Sequence, residues 1–161
     1  MNVTKDAGAE PLNTITVLSV SPSESEHAAL EQIFGESETT LYPNCRPAVQ
    51  RSGSLESALS ALRESRIPIV IFDGDWLPGA WREVIAGTRD LPAPPCLIVT
   101  SESGDDRLWA EALSHGAFDV IVKPFNKNDV IRIITAAWRR WRIRYAEPAA
   151  TAGATGTPSE T

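Results

Sequence analysis

Residues 67–79 read IPIVIFDGDWLPG. The first six residues are five apolar side chains and a proline, and they are followed by Asp73-Gly74-Asp75 and a Pro-Gly turn. An unbroken apolar run of this length, bounded by turn residues, indicates a strand that is buried on both faces. Such strands belong to parallel sheets that carry helices on both sides. The stretch therefore predicts a central strand that ends at Asp73.

Short apolar runs alternate with helical patterns along the rest of the chain. Residues 15–20, 96–100 and 120–122 are typical of buried strands, and residues 39–42 form a weaker run that we expect to be an edge strand. This alternation predicts an α/β fold: a doubly wound, five-stranded parallel sheet in the order 2-1-3-4-5, with helices on both faces. The helical patterns comprise Ala29, Leu30, Ile33 and Phe34; Leu55, Ala58 and Leu62; residues 80–87; Leu108, Ala112 and Leu113, ending at Gly116; and, after an Asn126 cap, Val130, Ile134, Ala137, Trp138, Trp141 and Tyr145.

Length and composition limit the class of protein. The chain has 161 residues, of which 42% are hydrophobic and 22% charged, as in soluble single-domain proteins. Residues 14–146 are expected to form the domain, with residues 1–13 and 147–161 as disordered tails. No apolar run approaches the roughly 18 residues of a membrane span, and the start of the chain lacks the apolar segment of a signal peptide. We therefore expect a cytoplasmic protein, with Cys45 and Cys96 as reduced thiols.

Reactive side chains follow three of the predicted strands. Asp73 and Asp75 follow the third strand, Thr100 ends the fourth, and Lys123 follows the fifth. Ligands of such sheets bind beyond the carboxyl ends of the strands, so we expect these side chains to meet. A carboxylate can accept a phosphoryl group as a nucleophile, while a lysine neutralises the added charge and a hydroxyl hydrogen-bonds a phosphoryl oxygen. Asp-Gly-Asp before Pro-Gly is also ordinary turn chemistry, and that alternative stays open here.

Three stretches resemble the receiver domains of bacterial two-component systems. They are VIFDGDWLPG, similar to the receivers' phosphoacceptor strand; CLIVTS, similar to their fourth strand; and ALSHGAFDVIVKPF, similar to their fifth strand with its Lys-Pro-Phe. The resemblance extends over residues 14–146 and implies the flavodoxin-like receiver topology. It implies Asp73 as the phosphoacceptor, with Asp75 as the alternate, and Thr100 and Lys123 as the residues that contact the phosphoryl group. It also implies a cis peptide bond between Lys123 and Pro124.

The resemblance further implies a function. The chain is expected to be a single-domain response regulator in a phosphorelay, with a histidine kinase or another signalling protein as its partner and no enzymatic activity. One alternative is a pseudo-receiver that binds partners without being phosphorylated. A second alternative is a flavodoxin-like small-molecule binder. The loop after the first strand argues against that binder, because it lacks glycine and carries Glu24 and Glu26, which repel an anion; Ser23 and Glu26 have the spacing of a capping box instead.

The chain departs from the receiver pattern at the end of the first strand. Receivers place two acidic residues there to hold a divalent cation, whereas this chain has Ser21 and Pro22. Mg²⁺ prefers oxygen ligands that include one or two carboxylates, so its binding is expected to be weakened. The expected metal ligands are Asp73 and Asp75, and the available replacements for the acidic pair are Glu24 and Asp75.

Two further departures concern the phosphoryl site itself. Pro78 lies five residues after Asp73 instead of the usual four, so either Gly74 bulges or Gly74 holds the acceptor position, which would leave no nucleophile. The apolar run directly before Asp73 favours Asp73. The switch aromatic of receivers, three residues before the lysine, is replaced by Val120, with Phe118 two residues earlier. These departures are typical of a divergent receiver.

The predicted last helix concentrates the basic residues. The chain has a net charge of −6, and residues 125–146 carry +5, so the rest carries −11. The run WRRWRIRY at 138–145 admits a helix end packed on the sheet, a protein interface, or a nucleic-acid site. Aromatic and arginine enrichment is typical of interface hot spots, and we place a partner surface, which would also serve a homodimer, at Trp138, Arg139 and Arg142. The acidic chain argues against nucleic acid, and no membrane contact is expected.

Overall fold

The structure, a computed structural model, describes residues 13–36 and 45–145. Strands and helices alternate strictly along these residues. The strands are β1 (Asn13–Val20), β2 (Cys45–Ser52), β3 (Ile69–Asp73), β4 (Cys96–Ser101) and β5 (Asp119–Val122). The helices are α1 (Glu24–Glu36), α2 (Leu55–Glu64), α3 (Trp81–Thr88), α4 (Asp106–Ser114) and α5 (Lys127–Tyr145). Apart from Asn13, which starts β1, the two predicted tails lie outside the described residues.

The sheet has the predicted topology. All neighbouring strands are parallel, and their order is β2-β1-β3-β4-β5. The register places Asp73 beside Thr100 and Ser101 beside Val122, so the carboxyl ends of the central strands meet at one edge. Within the described ranges, no helix is long and apolar enough to span a membrane.

Two hydrophobic clusters cover the two faces of the sheet. Ile69 and Ile71 of β3 pack with α1 and α5, whereas Val70 and Phe72 pack with α2, α3 and α4. None of these four side chains is more than 3% exposed. Because both faces are covered, every position of β3 must be apolar until Asp73 is reached, which is why its sequence shows no alternation.

The edge strand β2 differs in sequence from the other strands. The apolar run at 39–42 that we expected to form an edge strand lies outside the described residues, and the strand that pairs with β1 is Cys45–Ser52. Cys45 and Pro47 are buried while Arg46 and Ala48 are exposed, because only one face of this end of the strand packs on the core. Proline lacks an N–H donor and is tolerated in an edge strand. With polar residues on its outer face, β2 has no apolar run to reveal it.

The helix α5 begins as expected. Asn126 Oδ1 accepts a hydrogen bond from the backbone N–H of Asp129 at 3.0 Å, which confirms the predicted N-cap. Its buried face adds Ile133 to the predicted apolar positions, and Tyr145 at its end is partly buried.

One residue of the predicted partner surface is buried in the structure. Trp138 is 9% exposed and belongs to the core cluster on the α1 and α5 side, where its ring stacks on Trp141 with centroids 5.9 Å apart. The prediction that Trp138 faces a partner is therefore wrong, because the indole packs on the sheet. Arg139 is exposed and Arg142 is partly exposed on the outer side of the same helix.

Candidate functional site

Three predicted site residues lie at the carboxyl edge of the sheet. Asp73 is the last residue of β3, Thr100 lies beside it in β4, and Lys123 directly follows β5. The peptide bond between Lys123 and Pro124 is cis, as the resemblance implied. Lys123 Nζ donates a hydrogen bond to Asp73 Oδ1 at 3.0 Å. The expected meeting of a carboxylate and an ammonium group is present at this edge.

The ammonium group of Lys123 is surrounded by three carboxylates. Its Nζ lies 2.7 Å from Glu26 Oε2, 3.0 Å from Asp73 Oδ1 and 3.1 Å from Asp75 Oδ2. Burial alone would lower the pKa of Lys123, but hydrogen bonds to these carboxylates outweigh burial and raise the pKa well above its ordinary value. Lys123 is therefore charged throughout the physiological range. The four side chains, which we call the carboxylate cluster, carry a net charge of −2.

Asp73 is held on both of its oxygens. Oδ1 accepts from Lys123 and from the backbone N–H of Asp75 at 3.0 Å, and Oδ2 lies 3.2 Å from Ser21 Oγ. The residue is 6% exposed. Ser21, which stands where receivers have an acidic residue, thus contributes a hydroxyl donor to Asp73 in place of a negative charge.

Glu26 was not predicted to take part in the site. It lies in the first turn of α1, where its Oε2 binds Lys123 and its Oε1 lies 3.1 Å from Ser21 Oγ. Half of the predicted capping box is present, because the Glu26 N–H donates to Ser23 Oγ at 3.3 Å. The carboxylate that completes such a box points to Lys123 instead. Glu24, which we expected as a replacement for the acidic pair, pairs with Arg51 and has a side chain 79% exposed, so that expectation is wrong.

A buried histidine fixes the loop that carries Ser21. His27 is 1% exposed, with Nε2 3.0 Å from the carbonyl oxygen of Ser21 and Nδ1 2.8 Å from Ser19 Oγ. Both ring nitrogens are therefore satisfied within the protein. This arrangement positions Ser21 against Asp73 and Glu26.

Asp75 connects the site to the loop after β4. Its Oδ1 accepts from Ser101 Oγ at 3.1 Å, and its Oδ2 accepts from the backbone N–H of Glu102 at 2.9 Å as well as from Lys123. Burial tends to raise the pKa of Asp75, but the Glu102 N–H and the Lys123 ammonium hold the pKa below its ordinary value. The Asp75 side chain is 39% exposed and forms the solvent side of the carboxylate cluster.

Gly74, the residue that follows β3, lies close against the backbone of β4. Its N–H donates to the carbonyl oxygen of Thr100 at 2.7 Å, and a Cβ built there would lie 2.6 Å from Val99 Cγ1 and 2.7 Å from that same oxygen. Gly74 therefore faces the backbone of β4 and offers no side chain to the site. The residues on either side of it, Asp73 and Asp75, both reach Lys123. Of Asp73 and Gly74, only Asp73 brings a carboxylate to Lys123, and its role as the acceptor stays a prediction.

In β4 the hydroxyl that hydrogen-bonds an aspartate belongs to Ser101, and the contact of Thr100 with a phosphoryl group stays a prediction. Thr100 is 1% exposed, and its Oγ1 donates to the carbonyl oxygen of Phe72 at 3.5 Å. The next residue, Ser101, hydrogen-bonds Asp75. Ser101 was not among the predicted site residues, because the resemblance assigned the hydroxyl of the site to Thr100, the last residue of the apolar run.

The position of the switch aromatic is filled by a buried aliphatic residue. Val120 belongs to the core cluster on the α2, α3 and α4 side. Phe118 precedes β5, at the end of the strand opposite Lys123, and Arg140 lies over its ring at 5.7 Å. Phe118 therefore does not substitute for the missing aromatic beside Thr100.

The donor set does not fit a divalent cation as it stands. The oxygens of Glu26, Asp73 and Asp75 that approach one another share Lys123 Nζ, and the end of β1 supplies Ser21 and Pro22 instead of carboxylates. Mg²⁺ needs near-octahedral oxygen ligands, which the lysine would have to vacate. Over the described ranges, no group of three or more His, Cys, Asp or Glu side chains has a geometry that could hold a metal ion. Mg²⁺ binding at Asp73 and Asp75 stays a prediction.

Comparison with known proteins identifies the fold. No protein-family model and no curated protein matches the chain. Among solved structures, the beryllofluoride-activated NtrC4 receiver domain dimer is 21% identical, with a TM-score of 0.64, over 78% of this chain and 98% of that one. The signal receiver domain of an HD domain-containing protein from Pseudomonas fluorescens Pf-5 is 16% identical, with a TM-score of 0.67, over 86% and 96%. The chemotaxis response regulator CheY4 of Vibrio cholerae is 16% identical, with a TM-score of 0.63, over 78% and 99%.

These neighbours are receiver domains of response regulators. The described part of this chain therefore has the receiver fold, as its sequence predicted. The low sequence identity agrees with the predicted divergence.

Proposed function

We propose that this chain is a receiver-type signalling module of a two-component phosphorelay, with Asp73 as its phosphoacceptor. It acts by binding other proteins and not as an enzyme on a small molecule. The observation that carries the proposal is the 3.0 Å contact between Lys123 and Asp73 at the carboxyl edge of a receiver fold. A nucleophilic carboxylate and a cation that offsets the transferred charge are the two groups that aspartyl phosphate chemistry needs from the protein.

In the proposed transfer, one bond to phosphorus forms and one breaks. An oxygen of Asp73 attacks the phosphorus of a phosphohistidine or of acetyl phosphate, and the bond from phosphorus to the donor breaks. The donor leaves with the bonding electron pair, as neutral histidine after proton uptake or as acetate. Lys123 stays protonated because its pKa is raised, and it neutralises part of the charge that the phosphoryl group brings.

A specific observation favours a second candidate, a pseudo-receiver that binds partners without phosphorylation. The carboxylate cluster carries three negative charges and one positive charge before any phosphoryl group arrives. Ser21 and Pro22 provide no carboxylates for a cation that would balance the added charge. In this candidate the cluster is a fixed structural element, and signalling depends only on partner surfaces.

Intact-mass measurement after incubation with acetyl phosphate separates the two candidates. We expect a phosphoryl adduct on the wild-type protein and on Asp75→Asn, and none on Asp73→Asn. An unlabelled wild-type protein, under conditions that label an ordinary receiver, would replace the phosphoacceptor proposal with the pseudo-receiver. The incubation is run with MgCl₂ and with EDTA. A requirement for Mg²⁺ would support the predicted ligation of the cation by Asp73 and Asp75.

We place the partner surface on the outer side of α5. Arg139 is exposed, Arg142 is partly exposed, and Ile143 is 79% exposed. The proposed partners are a histidine kinase, another signalling protein or a second copy of the chain. Light scattering of the wild-type protein and of Ile143→Glu tests the homodimer: a dimer that Ile143→Glu dissociates supports it, and a wild-type monomer at high concentration contradicts it.

The flavodoxin-like alternative has a simple test. Ser23, just before α1, and Ser25, in its first turn, hydrogen-bond each other at 2.9 Å, and Glu24 and Glu26 lie in the same turn. Two glutamates disfavour a cofactor phosphate in this loop. A flavin spectrum in the purified protein would revive this alternative, and a colourless protein would retire it.

A further inference from the structure

A cavity of about 440 Å³ opens at the end of the sheet opposite the carboxylate cluster. Its walls are the start of β4, the residues that lead into β5, and the last turns of α3, α4 and α5. Strand β4 is 6 residues long, so at roughly 3.3 Å per residue the cavity lies roughly 20 Å from Asp73. The cavity shares no residue with the carboxylate cluster.

The floor of the cavity is apolar and well ordered by packing. Val84 is 1% exposed, Leu97 3%, Ala117 7% and Trp141 5%. The Trp141 indole is oriented by its Nε1–H, which donates to the carbonyl oxygen of Pro94 at 3.1 Å. A flat or branched apolar group could be covered here, and the volume is within the range of small-molecule sites.

The polar groups of the cavity are dominated by positive charge. Arg89, Arg140 and Arg144 line it, and no acidic residue does. Within the described ranges, none of these three arginines forms an ion pair, although Arg140 also lies over the Phe118 ring. By contrast, the guanidinium groups of Arg51 and Arg82 are paired with glutamates outside the cavity. Guanidinium groups offer a planar pair of donors that matches a carboxylate.

From this arrangement we propose that the cavity binds a small organic carboxylate. The apolar body of the ligand packs against Leu97, Ala117 and Trp141, and its carboxylate binds Arg140 and Arg144, which lie one helical turn apart on α5. The site is distinct from the phosphoacceptor site and does not depend on Asp73 being phosphorylated. It would make the protein a receiver-fold module that also responds to a metabolite-sized acid.

A matched pair of probes tests the proposal in the full chain: 2-naphthoate, and its neutral analogue 2-naphthamide. Binding is followed by equilibrium dialysis and by the NMR resonance of the Trp141 indole N–H. We expect naphthoate to shift this resonance and to bind about tenfold more tightly than the amide, a difference of roughly 1.4 kcal/mol.

Variants then test separately the contribution of the cavity's arginines and that of its apolar walls. Arg140→Gln/Arg144→Gln is expected to abolish the preference for naphthoate and to leave amide binding unchanged. Lys127→Gln/Arg132→Gln removes the same charge from exposed positions of α5 outside the cavity and is expected to change neither. Ala117→Leu fills the cavity and is expected to weaken both probes. Absence of naphthoate binding, equal affinity for the two probes, or binding that the Arg140 and Arg144 substitutions leave intact would overturn the proposal.

Discussion

Lys123 Nζ lies closer to Glu26 Oε2, at 2.7 Å, than to Asp73 Oδ1, at 3.0 Å. The lysine that would support phosphoryl transfer is therefore shared with a carboxylate from α1. Asp75 Oδ2 also contacts Lys123 Nζ, at 3.1 Å. One ammonium group thus serves three carboxylates, and the predictions for Glu26, Lys123 and Asp75 below depend on this sharing.

Substitution of Glu26 is predicted to speed phosphorylation of Asp73. Glu26→Gln removes a negative charge that repels an anionic phosphodonor and competes for Lys123. The expected increase in the rate of adduct formation from acetyl phosphate is about tenfold, which corresponds to roughly 1.4 kcal/mol. The matched control is Glu24→Gln, two residues away, whose exposed side chain pairs with Arg51 and is expected to leave the rate unchanged. Equal rates for Glu26→Gln and the wild type would show that Glu26 does not restrain the site.

Loss of the shared ammonium group is predicted to destabilise the fold. Lys123→Met keeps the length of the side chain but leaves Glu26 and Asp73, both largely buried, without a counter-charge. Breaking a buried pair in this way costs about 3 kcal/mol in the free energy of unfolding, measured by urea denaturation. The exposed Lys127→Met serves as the control, and a Lys123→Met midpoint equal to that of the control would contradict the prediction.

Acid is predicted to remove a stabilising contribution of Asp75. Its pKa is lower in the folded protein than its ordinary value of about 4, so the unfolded chain binds the proton more readily. The contribution to stability is present above about pH 4 and is lost as the pH falls through the folded-state pKa. Urea midpoints measured between neutral and acidic pH should therefore fall less steeply for Asp75→Asn than for the wild type. Asp90→Asn, an exposed position outside the cluster, should follow the wild-type curve.

The close approach of Gly74 to β4 is predicted to exclude any side chain. In Gly74→Ala the new Cβ would lie 2.7 Å from the carbonyl oxygen of Thr100, and backbone cannot yield as a flexible side chain can. The free energy of unfolding is expected to fall by about 2 kcal/mol. Gly35→Ala, where nothing lies within 4 Å of the new Cβ, is expected to be neutral or to stabilise α1 by up to about 1 kcal/mol. Similar unfolding free energies for the two variants would argue against the close packing at Gly74.

The parts of the site that follow strands could be predicted from the sequence. Asp73 and Lys123 come directly after apolar runs, and the carboxyl ends of parallel strands share one edge. Glu26 could not be found in this way, because it comes from a helix and its spacing from Ser23 indicated a capping box. Its approach to Lys123 depends on how α1 packs on the sheet, which no local pattern specifies.

The incorrect predictions have similar physical causes. The edge strand β2 is hard to recognise in the sequence because the polar residues Arg46 and Gln50 lie on its exposed face, so it contains no apolar run. Trp138 lies among arginines in the sequence, and this composition fits an interface as well as the end of a buried face. The helical register places Trp138 toward the sheet and Arg139 toward solvent. Composition alone could not distinguish a protein interface from the end of a buried helix face.

The measurement that tests the central claim most directly locates the phosphoryl group on the chain. After incubation with acetyl phosphate, the protein is treated with borohydride, which reduces an aspartyl phosphate to homoserine, and its peptides are sequenced by mass spectrometry. Our account predicts homoserine at position 73 and unmodified aspartate at position 75. Homoserine at position 75, or at neither position while an ordinary receiver treated in parallel is converted, would contradict the assignment of Asp73 as the phosphoacceptor.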